Sequence, residues 1–171
     1  MVNPSPRTRL PARATFPDWH LDDLCRDVVF ARDGYVCQWC GWACTEVVRR
    51  REVRRGLVRE WNSYDGLDWA HVYGRGRKSM QWTEDNVLCL CGGCHRGRWH
   101  GPDQGLGPIW FRERFPERAA VLALIAGTSH RIDRAGIALD LRLTLQRMIE
   151  RGEARVDAVP TCSPSQGAES P

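Results

Sequence analysis

The 171-residue sequence contains no apolar run near the roughly 18 residues that a membrane-spanning helix needs. The first thirty residues also lack the apolar segment that an export signal requires. We therefore expect a cytoplasmic protein without a membrane partner. In a reducing compartment, its eight cysteines are more typical of metal ligands than of disulfide bonds.

Lysine is nearly absent, since Lys78 is the only one among 25 basic residues, which face 21 acidic ones for a net charge of +4. One guanidinium group can bind two oxygens of a phosphate at once, so this bias towards arginine fits a nucleic-acid partner. A genome rich in G and C would produce the same bias through its codons. Six arginines lie between Arg49 and Arg59, in a segment that is a short hairpin or a helix. That segment is either a solvated face or a phosphate-contacting flap.

Composition and periodicity divide the chain into four parts. They are an extended basic arm at 1–17, a main domain at 18–115, a C-terminal helical hairpin at 116–152 and a disordered tail at 153–171. Within the main domain, a helix should follow Asp18, and strands should occupy 67–72 and 86–90 with a short helix after the second. The predicted fold class is α+β: a small ββα core flanked by an N-terminal helix and the C-terminal helical hairpin.

Two Cys-x-x-Cys pairs flank the ββα core, namely Cys37, Cys40, Cys91 and Cys94. Four thiolates form a closed, tetrahedral zinc site of the structural kind, worth on the order of 10 kcal/mol to folding. Cys44 and Cys89 are competing ligands. The Cys-x-x-Cys-His stretch also matches c-type haem attachment, but that haem is attached after export, so zinc is favoured. A zinc ion here would fix the start of the helix carrying His95, which a second, catalytic metal site requires.

Three segments in order, RDGYVCQWCG, LDWAHVYGRGRK and DNVLCLCGGCH, resemble the HNH endonucleases, in particular the zinc-stapled type common in bacteriophages and bacteria. The resemblance implies that 18–115 is an HNH nuclease domain with a ββα-metal (His-Me) finger. Such a domain hydrolyses DNA phosphodiester bonds with a divalent ion, Mg²⁺ or Mn²⁺. It also implies a role in phage DNA metabolism, such as packaging beside a terminase, or homing, and, if the chain is encoded by a phage, a location in the cytoplasm of the bacterial host cell.

Carried over to this sequence, the resemblance assigns three roles. His71 is the general base that takes a proton from the attacking water. Asn86 braces the loop that holds this base, and His95 binds the catalytic ion. One position departs from the pattern, because Ala70 stands where many members place Asp or His as a second ligand.

Two residues are candidates for that second ligand. Asp68 lies two residues before Ala70 and so points to the same side of a strand, although a plain surface Asp would show the same pattern. His100 is the weaker candidate, because a residue five positions after His95 on an α-helix lies about 140° around the axis. A bent turn would bring the two histidines together.

The basic residues near these motifs are expected to bind DNA phosphates, which gives affinity rather than sequence choice. They are Arg75, Arg77, Lys78, Arg96 and Arg98. Trp99 is either a core residue or a platform for a nucleotide, and His20 and His130 are expected at the surface or in packing. Two alternatives to an enzyme stay open: a zinc module that binds nucleic acid after losing catalysis, and an interaction protein that uses zinc only to fold.

Overall fold

The computed structural model describes residues 16–54, 57–102, 106–128, 132–156 and 162–164. Nearly all of the basic arm at 1–17 therefore lies outside the described residues. Within those ranges the α-helices are Asp18–Arg32 (α1), Leu106–Arg114 (α2), Pro116–Ala126 (α3) and Arg134–Glu150 (α4). None of the described helices is both long and apolar enough to cross a membrane.

Five described strands form two separate antiparallel sheets, which makes the fold α+β as predicted. The strands are Val47–Arg54 (β1), Leu57–Tyr64 (β2), Leu67–His71 (β3), Val87–Cys91 (β4) and Cys162–Pro164 (β5). One sheet has the order β1-β2-β5, and the other pairs β3 with β4 so that His71 lies opposite Val87. The arginine-rich segment is thus a β-hairpin and not a helix.

A tight turn at Asp65 and Gly66 joins β2 of the first sheet to β3 of the second. Gly66 has a φ of +63°, a left-handed conformation that residues other than glycine rarely adopt. A Cβ atom at this position would also collide with the ring of Trp42. The turn therefore depends on glycine, and it connects the arginine-rich hairpin directly to the strand that carries Asp68 and His71.

The helices pack into two apolar clusters. In the first, α4 packs against α1, and Leu141 and Leu145 of α4 are buried in the same cluster as Leu24 and Val28 of α1. In the second, α3 packs against α2 beside the β3–β4 sheet. The helical hairpin predicted for 116–152 is therefore two helices with separate packing partners. Periodicity along one helix shows which face is buried, but it does not show what covers that face.

The structure departs from the disordered tail predicted for 153–171 at two short segments. At 153–156, Val156 is only 4% exposed, and the Arg155 backbone N–H donates a hydrogen bond of 2.7 Å to the Tyr35 hydroxyl. At 162–164, β5 pairs with β2. Both segments add to surfaces that other elements have already built, so their own composition carries no signal of order. Residues 157–161 and 165–171 lie outside the described ranges.

A buried polar network holds the β1–β2 hairpin on α1. Asp23 and Asp27 are fully buried on the helix. Arg59 donates two hydrogen bonds, of 2.9 and 2.8 Å, to the Asp23 carboxylate. Asn62 and Tyr64 each donate one of 2.6 Å to the Asp27 carboxylate. Because buried carboxylates are costly without such partners, the network fixes the orientation of the hairpin on the helix.

Asp27 should make the stability of the protein depend on pH. Burial raises the pKa of Asp27 from 3.8 to about 7, although Arg26 and the two hydrogen bonds oppose the change. Since the pKa is higher in the folded state, the contribution of this group to stability is full below pH 4 and is lost as the pH rises through 7. Asp27→Asn stays neutral at every pH. We therefore expect its free energy of unfolding, relative to that of the wild type, to rise by on the order of 3 kcal/mol between pH 4 and pH 8.

Chemical denaturation of both proteins at each pH measures this difference in the free energy of unfolding. Asp140→Asn, on the exposed side of α4, is the matched control and should show no such trend. A difference between Asp27→Asn and the wild type that does not change with pH would contradict the prediction. At each pH the two proteins are compared with one another, so any effect of cysteine protonation on stability is the same in both and cancels.

Candidate functional site

The two cysteine pairs come together into one cluster. The ligand atoms of Cys37, Cys40, Cys91 and Cys94 all lie within 4.8 Å of one another, and the Sγ atoms of Cys40 and Cys91 are 3.7 Å apart. Sulfur atoms around a tetrahedral ion with bonds of about 2.3 Å are about 3.8 Å apart. The four thiols therefore fit a structural metal ion. Across the described residues, no other group of three or more histidine, cysteine or acidic side chains comes together in this way.

Backbone hydrogen bonds position both halves of this cluster. Gln38 N donates to the Cys89 carbonyl at 2.9 Å, which ties the first Cys-x-x-Cys turn to β4. Gly41 closes that turn with a φ of +78° and a hydrogen bond of 2.9 Å to the Cys37 carbonyl. Cys91 ends β4, and the Cys94–Trp99 helix begins three residues later. The cysteine cluster is thus fixed between a turn, the end of a strand and the start of a helix.

The competing cysteines lie outside the cluster. The Cys44 thiol donates a hydrogen bond of 3.0 Å to the Glu46 carbonyl, and Cys89 is fully buried within β4. Burial also raises the pKa of the Cys89 thiol well above its ordinary value. Both residues therefore act in packing, and the Cys-x-x-Cys spacing identified the four clustered thiols correctly.

The ionisation of the four thiols depends on a cation. Burial raises the pKa of Cys37, but backbone N–H groups of Cys91, Cys40 and Trp39 outweigh this effect and lower the pKa to about 7. Burial and the neighbouring thiols raise the pKa of Cys94 above its ordinary value. One thiolate near neutral pH is therefore stable without help, whereas four would repel one another. A bound cation removes this repulsion, so the donor set has the chemistry of a metal site.

A cleft of about 480 Å³ opens next to the helix that follows the cluster. The residues lining it come from β3, from the loop after β3 and from the Cys94–Trp99 helix. They are Asp68, Trp69, His71, Gly74, Arg75, His95, Arg96 and His100. The cleft thus brings together two pairs of candidate site residues, Asp68 with His71 and His95 with His100, which lie more than twenty residues apart in the sequence.

His71 lies at the end of β3 with its ring held in place. Its Nε2 is 3.2 Å from the Gln81 carbonyl oxygen, and its ring centroid is 4.6 Å from that of Trp69. Because a carbonyl only accepts, Nε2 carries the proton and Nδ1 is the nitrogen that can take up another. Burial, together with the positive charge of Arg75, lowers the pKa of His71 to about 4. The imidazole is therefore neutral at pH 7, which is the form a general base needs.

Asn86 is fully buried and bridges the loop after β3. Its Oδ1 accepts a hydrogen bond of 2.7 Å from Tyr73 N. Its Nδ2 donates to the carbonyls of Tyr73 and Met80, each at 3.0 Å. One side chain therefore holds both ends of the segment that connects His71 to the Gln81 carbonyl.

Asp68 and His95 lie close enough to bind one metal ion together. His95 Nδ1 is 3.3 Å from Asp68 Oδ2, although the resemblance gave only His95 and left the second ligand open. Burial lowers the pKa of His95 against the opposing effect of Asp68, and a neutral imidazole is the form that binds metals. Gly92 makes room here, since a Cβ atom at that position would lie 2.7 Å from the Arg96 guanidinium and 3.6 Å from Asp68 Oδ2.

His100 lies nearer to His95 than α-helical geometry predicts. Their ring centroids are 4.9 Å apart, and His100 N donates to the His95 carbonyl at 3.0 Å. That bond joins residues five apart, because the Cys94–Trp99 helix is a π-helix with a wider turn than an α-helix. The separation of about 140° expected from α-helical geometry is therefore wrong. His100 nevertheless does not complete a three-ligand cluster with Asp68 and His95.

The five basic residues expected to bind phosphate divide into two groups. Arg75 and Arg96 line the cleft, where Arg75 lies over the Trp69 ring. The other three are not among the lining residues: Lys78 Nζ donates to Gln81 Oε1 at 2.8 Å, Arg77 donates to the Ala126 carbonyl at 3.1 Å, and Arg98 lies over the Trp39 ring. From the sequence the five residues could not be told apart, because side-chain partners such as the Ala126 carbonyl and the Trp39 ring come from distant parts of the chain.

Trp99 is buried, with 4% of its surface exposed, and is not a platform for a nucleotide. Its Nε1 donates a hydrogen bond of 3.3 Å to the His71 carbonyl, and its ring packs edge-on against Trp39 in the first cysteine turn. Trp99 thus connects the cysteine cluster to the strand end that carries His71, a role that its sequence context does not reveal. His20 is a packing residue, fully buried, and His130 lies outside the described residues.

A scan against models of protein families and searches of curated proteins and of solved structures found no match to this chain. The likeness to HNH endonucleases therefore rests on the sequence motifs alone. Any functional assignment must come from the chemistry of the cleft and of the cysteine cluster.

Proposed function

We propose that this protein is a metal-dependent endonuclease of the HNH type that hydrolyses phosphodiester bonds in DNA. The observation that carries the proposal is the convergence of His71, Asp68 and His95 on one cleft beside the four-cysteine cluster. A neutral imidazole next to a carboxylate–imidazole pair is the combination that water attack on a phosphate ester uses.

In this proposal His71 acts as the general base. Its Nε2–H bond to the Gln81 carbonyl orients the ring, so that Nδ1 accepts the proton of the attacking water. Asn86 keeps the loop between the two residues in place through its three hydrogen bonds. The same arrangement would exclude a large movement of His71 during the reaction.

Asp68 and His95 would hold the catalytic divalent ion, Mg²⁺ or Mn²⁺. Such an ion, when bound, stabilises the negative charge on the phosphate and on the leaving 3′ oxygen. Two ligands from the chain bind an ion weakly, so phosphate oxygens and water must complete its coordination. Arg75 and Arg96 line the same cleft and would contact the neighbouring phosphates. In the cysteine cluster the ion would be zinc, which prefers four thiolates.

Cleavage of supercoiled plasmid tests the proposal. We expect zinc-loaded protein to nick the plasmid when Mg²⁺ or Mn²⁺ is added, and not after dialysis into buffer without them. Dialysis is preferable to a chelator here, because a chelator would also attack the cysteine cluster. Asp68→Asn keeps the shape of the side chain but removes its charge. Because loss of even an outer-shell partner of a metal ligand costs about 10–100-fold in metal affinity, this variant should need at least that much more divalent ion for the same rate.

The control for Asp68→Asn is Asp140→Asn, which makes the same chemical change on an exposed face of α4 and should behave as the wild type. A folded, zinc-loaded wild type that binds the plasmid but cuts it with neither ion would contradict the nuclease assignment. It would favour instead the module that binds nucleic acid without catalysis, for which Ala70 is the main argument.

A further inference from the structure

The β1–β2 hairpin carries an excess of positive charge that equals the net charge of the whole chain. Residues 47–64 contain six arginines and two glutamates, an excess of four positive charges, and the net charge of the protein is +4. The remaining residues are therefore neutral on balance. Such a concentration of charge on one structural element indicates an anionic partner for that element.

The arginines of the hairpin serve two different purposes. Arg59 is committed to the buried Asp23 carboxylate and anchors the hairpin. Arg49, Arg50 and Arg51 on β1 are exposed. Arg49 and Arg51 lie 2.8 and 3.6 Å from Glu60 on the neighbouring strand. Exposed ion pairs of this kind contribute little to stability, so phosphate oxygens can replace the glutamate at small cost.

The position of β1 in the sheet sets the shape of the basic surface. The strand order is β1-β2-β5, with β5 paired to residues 57–59 of β2, and within the described residues β1 pairs only with β2. Because successive side chains on a strand alternate, Arg50 lies on one face and Arg49 and Arg51 on the other. Arginines on both sides of an open edge can straddle a line of phosphates. A flat anionic surface would instead be met by arginines on a single face.

We infer that β1 is a second DNA-binding element, which contacts the phosphate backbone of double-stranded DNA outside the cleft. This inference rests on the proposed function for the identity of the partner. Double-stranded DNA fits better than a single strand, because single strands are bound largely by stacking on aromatic side chains and β1 has none. The Asp23 and Asp27 network holds the hairpin rigid, so little conformational entropy is lost on binding.

The inference is tested by the salt dependence of binding, measured by fluorescence anisotropy with a short duplex and no added divalent ion. Removing two phosphate contacts in Arg50→Ala/Arg51→Ala should reduce the slope of log affinity against log salt by roughly 1.8. The ratio of wild-type to variant affinity then grows about twelvefold as salt falls from about 200 to 50 mM. Arg112→Ala/Arg147→Ala removes the same charge from exposed positions on α2 and α4 and should keep the wild-type slope.

The outcomes of this test bear differently on this inference and on the proposed function. Wild-type binding with a salt slope that Arg50→Ala/Arg51→Ala leaves unchanged would overturn the role of β1 while leaving the nuclease proposal intact. Equal losses in the two double variants would also overturn it, because net charge alone would then explain them. If the wild type showed no salt-dependent binding, both the role of β1 and the proposed function would be overturned. With saturating DNA, Arg50→Ala/Arg51→Ala should cut at the wild-type rate, since β1 does not contact the reacting phosphate.

Discussion

Cys40→Ser should lose the bound metal ion and several kcal/mol of folding free energy, even though Cys40 is exposed. A structural zinc site contributes on the order of 10 kcal/mol, and a serine hydroxyl is a poor replacement for a thiolate ligand. Because an exposed side chain contributes little to packing, nearly the whole loss reports the metal. Zinc content per chain, together with thermal unfolding of the wild type and the variant, measures the effect.

Cys44→Ser provides the matched control for Cys40→Ser. Cys44 lies outside the four-thiol cluster, and a serine hydroxyl can still donate to the Glu46 carbonyl as the thiol does. This variant should keep one zinc ion per chain. A further comparison uses chelated protein, in which Cys40→Ser and the wild type should unfold alike. If Cys40→Ser retained its zinc, or if Cys44→Ser lost it, the ligand assignment would be wrong.

Loss of the metal should also disturb the cleft. Cys94 is a member of the cluster, and His95 directly follows it on the π-helix. On the other side, Trp39 lies within the first cysteine turn, stacks on Trp110 at 4.4 Å and packs against Trp99. Trp99 in turn donates to the His71 carbonyl. Both sides of the cleft are therefore connected to the four-cysteine cluster, so an ion bound there would act on the position of the site as well as on stability.

The elements that sequence predicts well are those with local signals. The Cys-x-x-Cys spacing predicted a four-thiol cluster, which the structure confirms as a group able to bind a metal. Alternation and turn residues placed strands at 67–72 and 86–90, and the observed strands are Leu67–His71 and Val87–Cys91. In each case residues that are adjacent or regularly spaced determine the outcome, and no knowledge of distant contacts is required.

Features that depend on tertiary contacts or on the type of helix were missed or left open. Lys78 stays a predicted phosphate contact, and the sequence did not reveal that its half-exposed ammonium group also bonds to Gln81 and Asp18. The position of His100 follows from a π-helical turn, which the sequence does not distinguish from an α-helical one. The bond between Trp99 and the His71 carbonyl is likewise a product of tertiary packing. Sequence therefore identified most residues of the candidate site but not how they are held.

His71→Ala should reduce the rate of DNA cleavage by about 10²–10⁴-fold, the usual contribution of a general base. The variant should keep its zinc and its stability, because the His71 side chain touches neither the cysteine cluster nor the buried Asp23 and Asp27 network. Plasmid nicking at several divalent ion concentrations measures the loss. In contrast to Asp68→Asn, more divalent ion should not restore the rate, since the missing group is a proton acceptor and not a ligand.

Two comparisons make the assignment of His71 specific. Added imidazole should partly restore cleavage by His71→Ala, because it can enter the space left by the ring and accept the proton of the water. Gln81→Ala should keep most activity, because His71 is oriented by the Gln81 backbone carbonyl and not by its side chain. Wild-type rates in His71→Ala would show that another group is the base or that the nuclease is a contaminant. Inactivity that imidazole does not relieve, in a folded and zinc-loaded variant, would place His71 among the groups that shape the cleft.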